Sequence, residues 1–92
     1  MQSIIQKEKQ CYVCRTIFNL HDHHIFYGTS NRKQSEKYGL KVWLCARHHN
    51  MSMDGVHFNK KLDTELKELA QRKFEETHTR EEFRAAFGKS WL

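Results

Sequence analysis

The sequence predicts an α+β fold in a single domain: two strands and a helix closed by a cysteine and histidine staple, then C-terminal helices. Three observations carry this expectation. The chain has 92 residues, enough for one core and not two. The stretch from Cys11 to His57 holds all three cysteines and six of the seven histidines. Apolar residues alternate at strand spacing up to Cys45 and recur at helical spacing from Leu62 onward. Residues 1–92 are therefore read as one domain, with a core over 11–60 and a helical part over 61–92.

The elements follow in chain order. Residues 1–10 are polar and are expected to be frayed or loosely docked. Cys11-Tyr12-Val13-Cys14 reads as a knuckle, because two cysteines at this spacing can reach one ion across a tight turn. Part of Ile17 to Tyr27 is expected to be a strand leading into His23 and His24. Gly28 to Asn31 is turn chemistry. Two helical turns over Arg32–Tyr38 follow, with Ser30 or Asn31 as N-cap and Gly39 as the left-handed stop. Leu40 to Cys45 forms the second strand, with Leu40, Val42 and Leu44 on one face. A helix runs from Cys45 to Met53 and stops by Gly55.

Leu62, Leu66, Leu69, Ala70 and Phe74 make an amphipathic stripe on a helix capped by Asp63 or Thr64 and running to about Thr77. A stripe of this length is read as core packing. Thr79-Arg80-Glu81-Glu82 has the form of a capping box opening a short helix that Gly88 ends. Gly88-Lys89-Ser90 matches only the tail of a phosphate-binding loop, and without the earlier glycine it carries nothing.

The cysteine count limits the chemistry. Three cysteines cannot all pair within one chain, which favours thiolate–metal ligation in a reducing compartment over a secreted disulfide framework. Cys11-x-x-Cys14 and Cys45-x-x-His48 are two half-sites that can close on one tetrahedral zinc. Three thiolates and one imidazole leave no open position, so this zinc is structural. His49 or His21 could stand in for His48 as the fourth ligand. Zinc binding is worth about 10–16 kcal/mol in small zinc peptides, a staple of the kind that a core this small needs.

The histidines outside that set suggest a second metal. Neighbouring histidines on a strand point to opposite faces, so His23 and His24 divide their work: one holds a cation and the other activates water. Cys11-x-x-Cys14, His23-His24-Ile25, Leu44-Cys45-x-x-His48-His49-Asn50 and the later His57 resemble the HNH endonuclease family. The wording from His24 to Leu40 is similar to that of small HNH proteins of phages and prophages of Gram-positive bacteria. The resemblance spans roughly residues 11–60 and implies the ββα-metal fold, the HNH or His-Me finger.

It implies, further, that His24 is the general base, that His23 and His49 ligate a catalytic cation, and that His57 completes its shell or contacts the scissile phosphate. That cation would be Mg2+, Mn2+ or another divalent ion. The chain departs from the family pattern at Leu40, where the central asparagine is usual, and at His48, where a cysteine is usual. A shifted register would make Asp22 the ligand and His23 the base.

The formal charge of +5 is unevenly spread. Between Thr29 and Arg47 lie Arg32, Lys33, Lys37, Lys41 and Arg47 against Glu36 alone. With Arg15 and Asn31, the residues Arg32, Lys33, Lys37 and Lys41 are the expected DNA contacts, to phosphates and not to base edges. Tyr27 and Tyr38 are expected to pack. His21 and His78 are read as exposed histidines without a role.

No apolar run approaches the ~20 residues of a membrane span, and the N-terminus lacks the apolar block of a signal peptide. A cytoplasmic protein of a bacterial host cell is expected, acting on DNA in phage replication, recombination or packaging, with phage or host proteins of those processes as further partners. The rival expectation is a non-catalytic zinc-binding module that binds DNA or serves as an adaptor. The long helix could dimerise the protein, but one apolar stripe this short is more often intramolecular core, and monomer or dimer is left undetermined.

Overall fold

A computed structural model describes residues 2–51 and 59–92. The order of elements is β1 (Leu20–His24), α1 (Thr29–Tyr38), β2 (Lys41–Cys45), a π turn (Arg47–Met51), α2 (Lys60–Phe74) and α3 (Arg80–Phe87). The chain is thus a small α+β fold with a two-stranded antiparallel sheet and three helices among the described residues. The expected helix beyond Met51, its stop at Gly55 and His57 lie outside the described residues.

Register decides what each face of the hairpin can do. His21 pairs with Leu44 and His23 with Val42, while Asp22 pairs with Trp43 and His24 with Lys41. Cross-strand partners share a face. One face therefore carries His21, His23, Val42 and Leu44, and it is the buried one: Val42, Leu44 and His23 are nearly inaccessible. The opposite face carries Asp22, His24, Lys41 and Trp43.

The outer edge of β2 is covered by the N-terminal residues, which are more firmly docked than their polarity suggests. Ile4 N–H donates to Gly39 O at 3.0 Å, Trp43 N–H donates to Gln6 Oε1 at 2.8 Å, and Tyr12 N–H donates to Trp43 O at 2.8 Å. A bare edge strand invites unwanted pairing, and here polar side chains and a few backbone groups answer its donors and acceptors. Gly39 makes room for this strap. Its φ is 70°, and a Cβ there would come within 2.5 Å of Gln2 O.

α1 begins at Thr29, earlier than expected, with Gly28 at the N-cap and no side-chain cap; Gly39 ends it in the left-handed conformation, as expected. Ser35, fully buried, locks α1 to the chain after β1. Its hydroxyl donates to Phe26 O at 2.8 Å and accepts from Phe26 N–H at 3.1 Å.

α2 also starts early, because Asn59 is the cap: its side chain accepts from Leu62 N–H, and Asp63 sits in the first turn, paired with Lys67 at 2.8 Å. Leu66, Ala70 and Phe74 of the stripe are buried. Gln71 is buried beside them and clamps the C-terminus, accepting from Trp91 N–H at 2.7 Å and donating to Ser90 Oγ at 2.9 Å. The capping box of α3 is complete, with Thr79 and Glu82 bonding reciprocally, and Gly88 ends the helix at φ 88°. The core under the helices is aromatic, with Phe26, Phe74, Phe83 and Phe87 in edge or tilted contact at centroid distances of 4.6–6.2 Å.

Candidate metal centre and histidine cluster

Two turns bring four donor atoms together. The first knuckle closes through Arg15 N–H to Cys11 O at 2.9 Å and Cys11 N–H to Thr16 O at 2.8 Å, with Arg15 in the left-handed region at φ 62°. The second begins where β2 ends at Cys45 and turns His48 back toward the sulfurs. The ligand atoms of Cys11, Cys14, Cys45 and His48 all lie within 4.8 Å of one another.

Individual edges are 3.7 Å for Cys14 Sγ to Cys45 Sγ, 3.2 Å for Cys45 Sγ to His48 Nδ1, and 3.8 Å for Cys11 Sγ to His48 Nδ1. A tetrahedral zinc with bonds of about 2.3 Å to sulfur and about 2.0 Å to nitrogen has edges of about 3.8 and 3.5 Å. The donor set and its spacing fit zinc. No disulfide joins the three cysteines, and His48 offers the fourth donor through Nδ1.

The thiols are not equivalent. Burial pushes Cys11 up, but backbone hydrogen bonds from Cys14, Cys45 and Val13 outweigh it and bring the thiol down to about 6. Cys45 is pushed up by burial against a backbone hydrogen bond from His48, and its sulfur neighbours Cys14 and Cys11 add to the rise. The thiolate is the ligating form, and backbone hydrogen bonds favour that form at Cys11.

The π turn separates two consecutive histidines into two clusters. His48 faces the sulfurs, while His49 Nδ1 lies 2.9 Å from His21 Nδ1. The rings of His21 and His49 are 4.9 Å apart and nearly perpendicular, and the ring of His23 is 5.4 Å from that of His49. Three imidazoles thus meet beside the inner face of β1. His23 and His49 come together as the sequence suggests, and His21, expected to be exposed and idle, joins them. His78 is not idle either: it stacks on Phe74 at 4.3 Å.

His24 turns the other way. Its Nε2 is 3.0 Å from Glu36 Oε1, and its side chain is only 11% exposed. Lys41 Nζ completes this group, at 2.9 Å from Glu36 and 3.4 Å from Asp22. Burial works against the Lys41 ammonium, but its hydrogen bond to Glu36 and the charge of Asp22 raise its pKa. Glu36 is thereby the residue that sequence reasoning missed. Its signal was being the lone acid in a basic stretch, one helix away from the paired histidines.

The basic residues divide into exposed and committed. Arg32 and Lys33 line an open cleft of about 630 Å³ together with His24 and Glu36. Arg15 and Lys37 are exposed and Asn31 is half-buried, with the Lys37 ammonium 5.3 Å from the Tyr38 ring. Lys41, 15% exposed, is held by the two carboxylates. Tyr38 packs edge-on against Phe74, and Tyr27 is exposed under the Lys67 ammonium at 4.6 Å. No helix among the described residues is long and apolar enough to cross a membrane. No family model, curated protein or solved structure matched the chain.

Proposed function

We propose that the chain is a zinc-stapled, divalent-cation-dependent DNA endonuclease of the HNH type, cutting phosphodiester bonds by a histidine-activated water. The observation that carries this reading is the placement of the histidines on the two faces of β1. His23 and His49 face one another beside a closed three-thiolate, one-imidazole cluster, while His24 opens onto a cleft with Arg32 and Lys33.

Cys11, Cys14, Cys45 and His48 would hold the structural zinc. His23 and His49, with His57, would hold the working cation. A cation there supplies positive charge against the charge that builds up on the scissile phosphate and the leaving oxygen. His24 is the base. The Glu36 carboxylate can only accept, so His24 Nε2 carries the proton of that bond and, in the neutral imidazole, Nδ1 holds the lone pair. A neutral imidazole can take a proton from water. Arg32 and Lys33 position the phosphate backbone without reading sequence. A role in phage or prophage DNA processing or recombination rests on the sequence resemblance.

The test uses zinc-loaded protein and supercoiled plasmid, with Mg2+, Mn2+, Ni2+ or a chelator. Conversion to open-circle or linear DNA that requires the cation, and falls at least ~100-fold in His24→Ala, is the expected result. Equal activity in that variant contradicts the assignment of the base. The enclosure of His24 by Glu36 and Lys41 favours one other reading, a non-catalytic zinc module that binds DNA or acts as an adaptor. DNA binding without cleavage under every cation would establish it.

A further inference from the structure

We propose that His21 and His49 form a bidentate imidazole site for a borderline divalent transition ion, with His23 beside it, making His21 a ligand of the second metal centre. This rests on the reading of His49 as a ligand of the working cation. Two Nδ1 atoms 2.9 Å apart have the bite of two ligands on one ion. Bonds of about 2.1 Å give nitrogen separations of about 3.0 Å at a right angle and about 3.4 Å at the tetrahedral angle. Rings bound side by side on such an ion lie about 4.5–5.2 Å apart. The observed 4.9 Å for His21 and His49, with rings at 87°, falls in that range, and the 5.4 Å between His23 and His49 lies just outside it.

A hydrogen bond between two neutral imidazoles would explain the His21–His49 contact alone. It does not explain why a third imidazole, buried and from the same strand face, stands against the same ring. The placement of His21 follows from strand geometry, since residues two apart share a face. His49 is brought in by the π turn, a feature frequent at functional sites. Imidazole donors choose the ion: they suit Zn2+, Ni2+, Co2+ and Cu2+, whereas Mg2+ asks for oxygen ligands.

The test is calorimetric titration of the full chain, its thiolate site first filled with one zinc, with Co2+ and then Ni2+. A second equivalent is expected to bind, with affinity reduced about tenfold or more in His21→Ala and in His21→Asn, and unchanged in His78→Ala. Circular dichroism of the zinc-loaded variants separates ligand loss from misfolding, and a through-bond contact shift of the His21 imidazole resonances by Co2+ reports ligation directly. Unchanged affinity in both folded His21 variants, or a His21 signal untouched by Co2+, overturns the proposal. His21-dependent binding without DNA cleavage by any loaded protein supports the site and removes the nuclease reading. Cleavage with cation affinity indifferent to His21 does the reverse.

Discussion

Glu36 makes the sharpest residue-level case, because in the proposed mechanism its carboxylate fixes which nitrogen of His24 would act. Glu36→Gln keeps the size but lets the amide present either an acceptor or a donor to Nε2. The tautomer is then no longer dictated, and turnover is expected to fall about 10-fold or more with little change in KM. Single-turnover cleavage checks this, with imidazole 15N shifts of His24 reporting the tautomer; unchanged shifts and rate would remove Glu36 from the mechanism. Ser35 makes a structural case. Ser35→Ala strips both of its hydrogen bonds from Phe26 in a buried position, a loss of about 1–3 kcal/mol readable by urea titration of the zinc-loaded protein.

At the scale of elements, the two glycine-ended helices and the capping box are where local chemistry and fold agree. Gly39→Ala meets both a left-handed backbone and the N-terminal strap, so a loss of about 2 kcal/mol or more is expected. The capping box also carries a pH signature. The backbone hydrogen bond from Thr79 lowers the Glu82 pKa. A depressed carboxylate contributes stability above its unfolded pKa of about 4.3 and loses it as pH falls through the folded value. Glu82→Gln should thus be less stable than the native chain at pH 7, with the gap closing below about pH 4. A gap that is constant with pH would mean the charge is idle.

The strands, the Gly39 and Gly88 stops and the capping box were all legible in the sequence, because each is set by neighbours along the chain. The starts of α1 and α2 were not. Gly28 and Asn59 won those caps over stronger-looking candidates nearby. The face of His21 was legible but unread, since the alternation that separates His23 from His24 also joins His21 to His23. Of the Glu36–Lys41–Asp22 group only the isolation of Glu36 among basic residues was legible, because its contacts depend on how α1 and the hairpin pack.

At the scale of the whole molecule, two predictions follow from the proposed DNA and zinc binding. If the chain binds DNA through phosphate contacts as proposed, affinity should fall steeply with salt, and Arg32→Ala and Lys33→Ala should each reduce the slope by about 1. A shallow slope would contradict the phosphate-contact reading. The core itself spans from Cys11 to Phe87, so Cys11 and Cys45 of the cluster share one buried core with the aromatic helices. Removing metal with a strong chelator should accordingly unfold the hairpin and loosen the helices together, which near-UV and far-UV circular dichroism would register as coincident transitions.

The most direct measurement is the metal content and zinc-edge X-ray absorption of the purified chain, treated to remove loosely bound ions. One zinc per chain is predicted, with three sulfurs at about 2.3 Å and one nitrogen at about 2.0 Å. Loss of that zinc in Cys14→Ser and its retention in His49→Ala would complete the result. A chain that folds without zinc, or a zinc shell made of nitrogen and oxygen alone, would contradict it.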